Sequence, residues 1–395
     1  MNIGMFSDTY FPQKNGVSTV IKLYKEELEK MGHNVLLFVP KFNRKYKRTE
    51  DWVHEFPSMR YIFEKGQRLA LPITPTAFKM KDFNLDLIHV HSPFTMSFFG
   101  KMVARSLNIP IIATHHTLFE FYLHYVPKLV RPSIETVRKL MVYWCKMFDK
   151  IIAPTQNISD LLLQMGLKEE EITVIPSGID MDSFNKPKVF DLRNKLSLSQ
   201  KDKIMLFVGR LGKEKNIPFL IDVYSKAVKQ IPELKFVIVG EGEDRQELER
   251  YAYNKGVGNG VRFTGGIKRE EVIDVYKQSD VFAFASYTET QGLVVLESMA
   301  AGTPVVALGK MGVYDLLKNP EAGGIMINEL NEAEFVRSIV NVLKNREFYS
   351  NLSDMGRNFV HDKFSSDHSV KRTLELYETI LAFKAASSAD ISYQN

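Results

Sequence analysis

The chain carries the same pattern twice: short, uninterrupted apolar runs that alternate with stretches of helical spacing. The runs lie at 3–7, 34–40, 85–91, 109–116, 150–155 and 172–180, and then at 203–210, 234–242, 261–266, 281–286 and 303–308. A strand that is apolar throughout, rather than at every second position, is typical of a parallel sheet covered on both faces. The sequence therefore predicts the α/β class, with two doubly wound Rossmann-like domains.

The length of 395 residues suits two such domains. We predict a first domain at 1–182, a second at 183–364, a helix at 365–386 that crosses back to the first domain, and a tail at 387–395. Ligands of open α/β sheets bind at the carboxyl ends of the strands. We therefore expect a ligand site in a cleft across which the two domains face each other.

Composition excludes several classes of function and location. The single cysteine, Cys145, cannot form a disulfide within the chain, and the first residues lack the basic start and apolar core of a secretory signal. No run approaches the roughly 20 apolar residues of a membrane-spanning helix. A net charge of +5 is too small to indicate a nucleic-acid partner. A cytoplasmic protein is the expectation.

Two clusters of basic residues occur in the first half. The segment 40–48 holds five basic residues and no acid, Arg44, Lys45, Lys47 and Arg48 among them; the segment 121–150 holds six, including Lys128 and Arg131, against two acids. Such clusters are often solvated faces. Aromatic and aliphatic residues lie between these charges, so a surface that binds an anionic membrane is the other interpretation.

Two carboxylates, Glu289 and Glu297, flank the sequence "TQGLVVL". The first lies on a polar loop after a strand, and the second lies inside a helix that begins near Gly292. The amide groups and positive dipole end of a helix N-terminus attract phosphate, and glycine permits a close approach of the backbone. A phosphate before this helix, with hydroxyl groups bound by the two glutamates, fits better than the paired acid and base of a glycosidase. A surface Glu and an unrelated helix Glu would leave the same pattern.

Two cations, Arg210 and Lys215, follow another strand in "FVGRLGKEKN". Arg can bind phosphate in bidentate fashion, and Lys acts as a point charge. A solvent-exposed loop without a ligand could have the same sequence. Together with the Glu289–Glu297 motif, however, these cations would supply positive charge for a diphosphate.

The first strand is followed by Gly16, without the glycine set G-x-G-x-x-G that dinucleotide cofactors usually require. Gly16 either brings backbone amides near a substrate or simply begins a helix. His115 and His116 end another strand and point in opposite directions, so at most one faces a site. Neither has metal-site spacing, and we predict no metal.

Taken together, "SYTETQGLVVLESMAAGTPVV", "VGRLGKEKN", "VIPSGID", "VGEGED" and "THHT" resemble the motifs of the retaining GT-B glycosyltransferases with an E-x7-E signature (glycosyltransferase family 4 type). The likeness covers nearly the whole chain. The stretches "FSDTYFP" and "THHTLFEFYLHYVPK" are most similar to bacterial diacylglycerol glucosyltransferases.

The resemblance implies a role for each matching position. Arg210 and Lys215 would bind the donor diphosphate, Glu297 the ribose and Glu289 hydroxyls of the transferred sugar. His116 would contact the sugar, while His115 would be structural. The backbone would bind the donor at five further positions, namely Gly16, Ile267, Gln291, Gly292 and Leu293.

The implied reaction is transfer of a hexose, with glucose from UDP-glucose expected, to a glycerolipid such as diacylglycerol, with retention at the anomeric carbon. The acceptor hydroxyl would attack from the face that the diphosphate leaves, and no cofactor or metal would be required. The expected partners are a nucleotide sugar, a lipid acceptor and the anionic inner face of the membrane. A soluble sugar, a polysaccharide precursor or a phosphatidylinositol-type acceptor is the alternative within the class. An oxidoreductase and a sugar-binding regulator without turnover are the alternatives outside it.

Overall fold

The computed structural model describes residues 1–13, 15–43, 46, 48–60, 68–71 and 79–392, with the backbone alone at 124 and 387–392. The chain divides into two compact units. The first unit comprises Met1–Gly178 and Ser366–Asn395, and the second comprises Ile179–Ser365.

The first unit contains a seven-stranded parallel sheet in the order β3-β2-β1-β6-β7-β8-β9. Its strands are β1 (Asn2–Phe6), β2 (Asn34–Pro40), β3 (Val53–Phe56), β6 (Leu87–Val90), β7 (Ile111–Thr114), β8 (Lys150–Ala153) and β9 (Ile172–Val174). A separate antiparallel pair is formed by β4 (Ser58–Arg60) and β5 (Arg68–Ala70). The helices are α1 (Gly16–Lys30), α2 (Thr95–Leu107), α3 (Ile134–Cys145) and α4 (Gln156–Gln164).

The second unit contains a six-stranded parallel sheet in the order β12-β11-β10-β13-β14-β15. Its strands are β10 (Lys203–Val208), β11 (Leu234–Val239), β12 (Val261–Gly265), β13 (Val281–Phe284), β14 (Val305–Leu308) and β15 (Gly324–Ile327). The helices are α5 (Leu192–Lys195), α6 (Ile217–Ala227), α7 (Arg245–Asn254), α8 (Arg269–Lys277), α9 (Leu293–Ala300), α10 (Met311–Leu317), α11 (Glu332–Lys344) and α12 (Arg346–Phe364). The strands β13 and β14 are buried at every position, as expected for a sheet covered on both faces.

The last helix, α13 (Ser366–Ser392), belongs to the first unit. It packs along α1, where the Tyr24 and Thr373 hydroxyls lie 2.9 Å apart. The Tyr377 hydroxyl lies 2.7 Å from Nδ1 of the buried His89. These polar contacts between buried groups hold α13 against α1 and against strand β6 of the first unit.

The sequence predictions agree with the two parallel sheets, and the α/β fold is confirmed. The unit boundaries lie within four residues of the predicted ones, and α13 extends to Ser392, beyond the predicted helix end at 386. The pattern missed β3 and β15, and also the small β4–β5 pair. The strands β3, β4 and β5 contain polar or charged residues, and β15 begins with glycine and is mostly half-buried, so none of them has the uninterrupted apolar run of the predicted strands. Among the described helices, none has the length and apolarity needed to cross a membrane.

Candidate active site

The second unit has a topological switch point at β10, which pairs with β11 on one side and with β13 on the other. The loops that follow neighbouring parallel strands emerge at the same edge of the sheet, and such switch points are the usual ligand sites of open α/β sheets. Arg210 and Lys215 lie in the loop after β10, and Glu289 lies in the loop after β13. The sheet order therefore brings these two sequence motifs together.

Glycines allow the loops after β10 and β11 to approach closely. Gly240 has a φ of +143°, and a Cβ there would lie 1.8 Å from the Gly209 carbonyl oxygen. A Cβ at Gly242 would lie 2.2 Å from the Leu211 carbonyl oxygen. Because backbone atoms cannot move aside as a side chain can, glycine is required in "VGEGE" for a steric reason.

The two predicted phosphate-binding cations are each paired with a carboxylate. Arg210 Nη2 donates to Glu214 Oε1 at 2.8 Å, and the Glu214 side chain is only 1% exposed. Lys215 Nζ donates to Glu289 Oε1 at 2.5 Å. Glu214 was not predicted, although its position four residues after Arg210 is a spacing at which side chains can meet. The loop after β10 thus presents cations that carboxylates already orient.

Backbone contacts hold the Glu289 loop in place. The Gly312 amide donates to the Glu289 carbonyl at 2.9 Å, and the Tyr287 amide donates to the Glu214 carbonyl at 3.2 Å. A Cβ at Gly312 would lie 2.4 Å from the Thr290 carbonyl oxygen, so this position also needs glycine. The loop is therefore fixed by both α10 and the loop after β10.

Gly292 is the residue before α9, with a φ of +87° that favours glycine. Leu293 is the first residue of the helix, and Gln291 is buried just before it. The free amides of a helix N-terminus lie at this point. The structure thus confirms the predicted start of the helix, whereas donor binding by these three residues remains a prediction.

Glu297 lies in the second turn of α9 and is buried. Its Oε1 accepts a hydrogen bond from Arg269 Nη1, and its Oε2 accepts one from the Tyr276 hydroxyl at 3.0 Å. Burial and the neighbouring carboxylate raise the pKa of Tyr276 well above its ordinary value, so its hydroxyl keeps its proton. Ile267, the predicted base contact, lies two residues before α8 and is partly buried. The sequence reading missed Arg269 and Tyr276, because both lie on a different helix from Glu297.

In the first unit, Gly16 is the exposed first residue of α1. Asn15 caps this helix: its Oδ1 accepts from the Ser18 amide at 2.9 Å. This geometry is that of an ordinary helix start, and the role of Gly16 near a diphosphate stays a prediction.

His116 has a partner that the sequence reading did not select. Its Nε2 lies 3.1 Å from Nδ1 of His91, whose strand end neighbours that of β7. The sequence "HVH" at 89–91 could have indicated this partner, since alternate residues of a strand share a face and His91 follows a strand that neighbours β7. Burial lowers the pKa of His116 to about 3, with a further contribution from His115, and lowers the pKa of His91 well below its ordinary value. Both rings are therefore neutral near neutral pH.

His115 packs within the unit. Its ring lies 6.4 Å from the ring of Trp144, burial lowers its pKa to about 4, and its amide donates to the Ile152 carbonyl. These contacts place His115 in the interior of the first unit, and its structural role stays a prediction.

The predicted membrane residues separate into three groups, of which the third is Arg48 alone. Arg44, Lys45 and Lys47 lie outside the described residues. Lys128 and Arg131 are exposed, and Arg131 donates to the Val126 carbonyl.

Arg48 requires a correction, because its side chain is only 6% exposed and bonds to Glu55 Oε1 at 3.1 Å and to the Phe11 carbonyl at 2.7 Å. It is not part of an exposed basic surface. The sequence alone could not show that the guanidinium of Arg48 is buried.

Within the described parts of the chain, no three His, Cys, Asp or Glu side chains are grouped as metal ligands would be. The prediction that no metal is required stays a prediction.

Two families of known proteins match this chain, one on each unit. Residues 14–183 match the family described as Glycosyltransferase Family 4, and residues 189–359 match Glycosyl transferases group 1.

Two similar proteins carry the same name, alpha-monoglucosyldiacylglycerol synthase. The protein of Streptococcus pneumoniae is 37% identical over 338 residues, which cover 83% of this chain and 76% of that protein. The protein of Acholeplasma laidlawii is 32% identical over 370 residues, covering 89% and 91%.

Solved structures share the fold at low identity. HepE of Anabaena, in complex with UDP and glucose, superposes with a TM-score of 0.76 at 17% identity and covers 96% of this chain and 100% of that one. Sucrose-phosphate synthase of Thermosynechococcus elongatus superposes with a TM-score of 0.75 at 20% identity, covering 96% and 99%.

Proposed function

Because this chain belongs to the GT-B glycosyltransferases, we propose that it transfers glucose from a nucleotide sugar, UDP-glucose, to diacylglycerol and so makes a glucosyl glycerolipid. The chemistry of a hexosyltransferase follows from the family. The acceptor follows from the name that two relatives share, at 37% and 32% identity. The alternatives of a soluble sugar, a polysaccharide precursor and a phosphatidylinositol-type acceptor have no comparable support.

The observation that carries the proposal is the arrangement at the switch point of the second unit. Arg210, Lys215 and the start of α9 all lie at the carboxyl ends of the neighbouring strands β10 and β13. Two cations and the amides of a helix N-terminus suit a diphosphate, and they stabilise the charge that develops as it leaves. Glu289 and Glu297 accept hydrogen bonds, as partners of sugar and ribose hydroxyls would.

In the proposed reaction, the bond between the anomeric carbon and the diphosphate oxygen breaks as the bond to the acceptor oxygen forms on the same face. The proton of the acceptor hydroxyl passes to the leaving phosphate. His116 is neutral near neutral pH because burial lowers its pKa to about 3, so it would act as a hydrogen-bonding group towards the sugar rather than as a cation.

We further propose that the first unit binds the membrane surface. Exposed apolar side chains lie on α3 and on the segment before it, among them Leu129, Ile134, Leu140 and Tyr143. The exposed basic residues Lys128, Arg131, Arg138, Lys139 and Lys146 lie among them. Apolar side chains with interspersed cations suit the headgroup region of an anionic bilayer.

The test combines donor and acceptor in one assay. Purified protein is mixed with a panel of nucleotide sugars, with and without liposomes that contain diacylglycerol and an anionic lipid. We expect release of the nucleoside diphosphate only with lipid present, together with a glycolipid product.

Release of the nucleoside diphosphate with a soluble sugar acceptor, and none with lipid, would support glycosyl transfer but overturn the proposal of a lipid acceptor. Donor binding by calorimetry without turnover on any acceptor would instead favour the sugar-binding regulator.

A further inference from the structure

Three buried polar side chains, His89, Thr114 and Tyr377, form a hydrogen-bonded network inside the first unit, beside the pair of His91 and His116. His89 lies on β6 at the centre of this His89 network, and its side chain is completely buried. The Tyr377 hydroxyl of α13 lies 2.7 Å from His89 Nδ1. The Thr114 hydroxyl of β7 lies 2.7 Å from His89 Nε2. The roles proposed above do not involve these contacts.

Hydrogen bonds on both sides hold the His89 ring in one orientation. Burial lowers the pKa of His89 well below its ordinary value and raises the pKa of Tyr377 well above its own, so both groups are neutral near pH 7. A neutral imidazole has one donor and one acceptor nitrogen, and a hydroxyl group can partner either of them. Both ring nitrogens of His89 are therefore bonded in either tautomer, and a turn of the ring about its Cβ–Cγ bond would break both hydrogen bonds.

The ring of His91 is held in a different way. Its Nδ1 lies 3.1 Å from His116 Nε2, whereas its Nε2 is buried with no hydrogen-bond partner in the described parts of the chain. One hydrogen bond leaves a ring free to tilt. The His91 ring packs against the ring of His89, with the two ring centroids 4.0 Å apart and the planes 36° from parallel. The direction in which His91 Nδ1 points therefore depends on the surface that the His89 ring presents.

We propose that Tyr377 of α13 and Thr114 of β7 are positioning residues, which act on His116 through the two rings between them. They fix His89, and His89 supports the ring of His91. The ring of His91 in turn holds His116 in the orientation for contact with the sugar. A reacting group keeps its geometry when packing and hydrogen bonds lock the residues behind it, and a misplacement of about 1 Å can lower a rate about 100-fold.

This inference rests on the proposed function, in which His116 contacts the sugar, and it extends that function to α13. The last helix of the chain then does more than cover the first sheet. Its Tyr377 hydroxyl supports a residue of the reaction, although the hydroxyl itself touches neither substrate.

The test removes one hydroxyl group at a time. Tyr377→Phe deletes the partner of His89 Nδ1 and Thr114→Val deletes the partner of Nε2, and each replacement keeps the side chain close to its original shape. Tyr24→Phe is the matched control, because it deletes another buried tyrosine hydroxyl at α13, one that lies 2.9 Å from the Thr373 hydroxyl instead of a histidine nitrogen.

Glucosyl transfer from UDP-glucose to diacylglycerol is measured well below the melting temperature of each protein. For Tyr377→Phe and Thr114→Val we expect kcat to fall about three- to tenfold, the usual effect of one hydrogen bond. The KM for UDP-glucose should stay close to the wild-type value, because the groups proposed to bind the diphosphate and ribose are unchanged. Tyr24→Phe should lower the melting temperature by a similar amount and keep the wild-type kcat. An equal fall of kcat in all three variants would overturn the inference.

Nitrogen NMR of isotope-labelled histidine side chains follows the rings without any need for activity. In Tyr377→Phe we expect the proton of His89 on Nε2, and in Thr114→Val on Nδ1, because a buried N–H without an acceptor is rarer than an unpaired acceptor. The imidazole signals of His91 and His116 should shift in both variants and stay in place in Tyr24→Phe. Unshifted His91 and His116 signals in both variants would overturn the inference, even with a lowered kcat.

The two measurements also separate this inference from the proposed function. If wild type transferred no glucose, but the two variants shifted the His91 and His116 signals, the proposed function would fail and the support of His116 by α13 would stand. Wild-type transfer with unaltered signals and rates in both variants would have the opposite meaning. If one of the two variants does not fold, the other decides.

Discussion

Lys215 Nζ lies 2.5 Å from Glu289 Oε1, in a pair whose side chains are 12% and 17% exposed. The two residues are 74 positions apart and follow the neighbouring strands β10 and β13. The residue that we propose binds the diphosphate, Lys215, is thus hydrogen-bonded to Glu289, the residue that we propose binds the sugar. A change at one is expected to alter the orientation of the other.

Lys215→Ala should lower kcat by about 10²–10³-fold, because a preorganised donor to the developing phosphate charge is lost. Glu289→Ala should lower it too, and the double variant should lose less than the two single losses combined, because the residues are in contact. The measurement is a double-mutant cycle on kcat. Lys213→Ala, an exposed lysine of the same turn, is the matched control. Strictly additive effects would contradict the coupling.

Glu297→Gln should raise the KM for the nucleotide sugar by about tenfold or more, since an amide replaces a carboxylate acceptor for ribose hydroxyls. The same change weakens the buried bond to Arg269, so the melting temperature is measured alongside. Tyr276→Phe separates the two effects: it removes only the hydrogen bond to Oε2 and should have a smaller effect on KM. Glu329→Gln, at an exposed position of the second unit, is the control. Equal KM for Glu297→Gln and wild type would exclude ribose binding.

Asp8 should make the free energy of unfolding depend on pH. Burial raises its pKa from 3.8 to about 6. Between about pH 4 and pH 6 the folded chain therefore holds a proton that the unfolded chain has released, so stability falls as pH rises through this window and is level above it. At about 1.36 kcal/mol per pKa unit, the loss is about 3 kcal/mol.

Asp8→Asn lacks this proton and should not show the loss. Urea unfolding of wild type and variant at several pH values across the window gives the difference directly, and the exposed Asp86→Asn provides the control. Parallel stability curves for wild type and Asp8→Asn would contradict the raised pKa.

His91 should position His116. Both rings are neutral near pH 7, so one proton lies between His91 Nδ1 and His116 Nε2. His91 Nε2 is buried without a hydrogen-bond partner among the described residues. An unpaired N–H is rarer in protein interiors than an unpaired acceptor. We therefore place the proton of His91 on Nδ1, donating to His116.

His91→Asn keeps an amide donor near this position, whereas His91→Leu does not. We expect kcat to fall about tenfold or more for the leucine variant and to recover largely in the asparagine variant, with similar melting temperatures. Equal kcat values for the two variants would rule out the proposed hydrogen bond as the cause.

The membrane surface of the first unit should depend on Leu129, whose side chain is 97% exposed. Leu129→Glu should weaken binding to liposomes of anionic lipid by about tenfold or more, because burying a leucine contributes about 1.5–3 kcal/mol. Binding should also weaken with salt, through Lys128 and Arg131. Co-sedimentation with liposomes measures both effects. Val189→Glu, at an exposed position of the second unit, should bind like wild type.

Local pattern in the sequence was sufficient for the fold and the family. Uninterrupted apolar runs indicated two parallel sheets, because strands covered on both faces have no polar side. The glycine before α9 was predicted from the sequence, and its φ of +87° is one that favours glycine. The likeness to the E-x7-E glycosyltransferases was confirmed by relatives on both units. All of these signals depend on a few consecutive residues.

The tertiary structure alone decided which side chains meet. Lys215 reaches Glu289, and Arg269 reaches Glu297, because the order of strands in the sheet places their loops and helices side by side. Arg48 stands in a basic run of the sequence, yet it is buried against Glu55 and the Phe11 carbonyl. Spacing along the chain determines which face of a strand or helix a residue occupies. Its burial and its partner depend on which distant element packs there, and no local pattern carries that information.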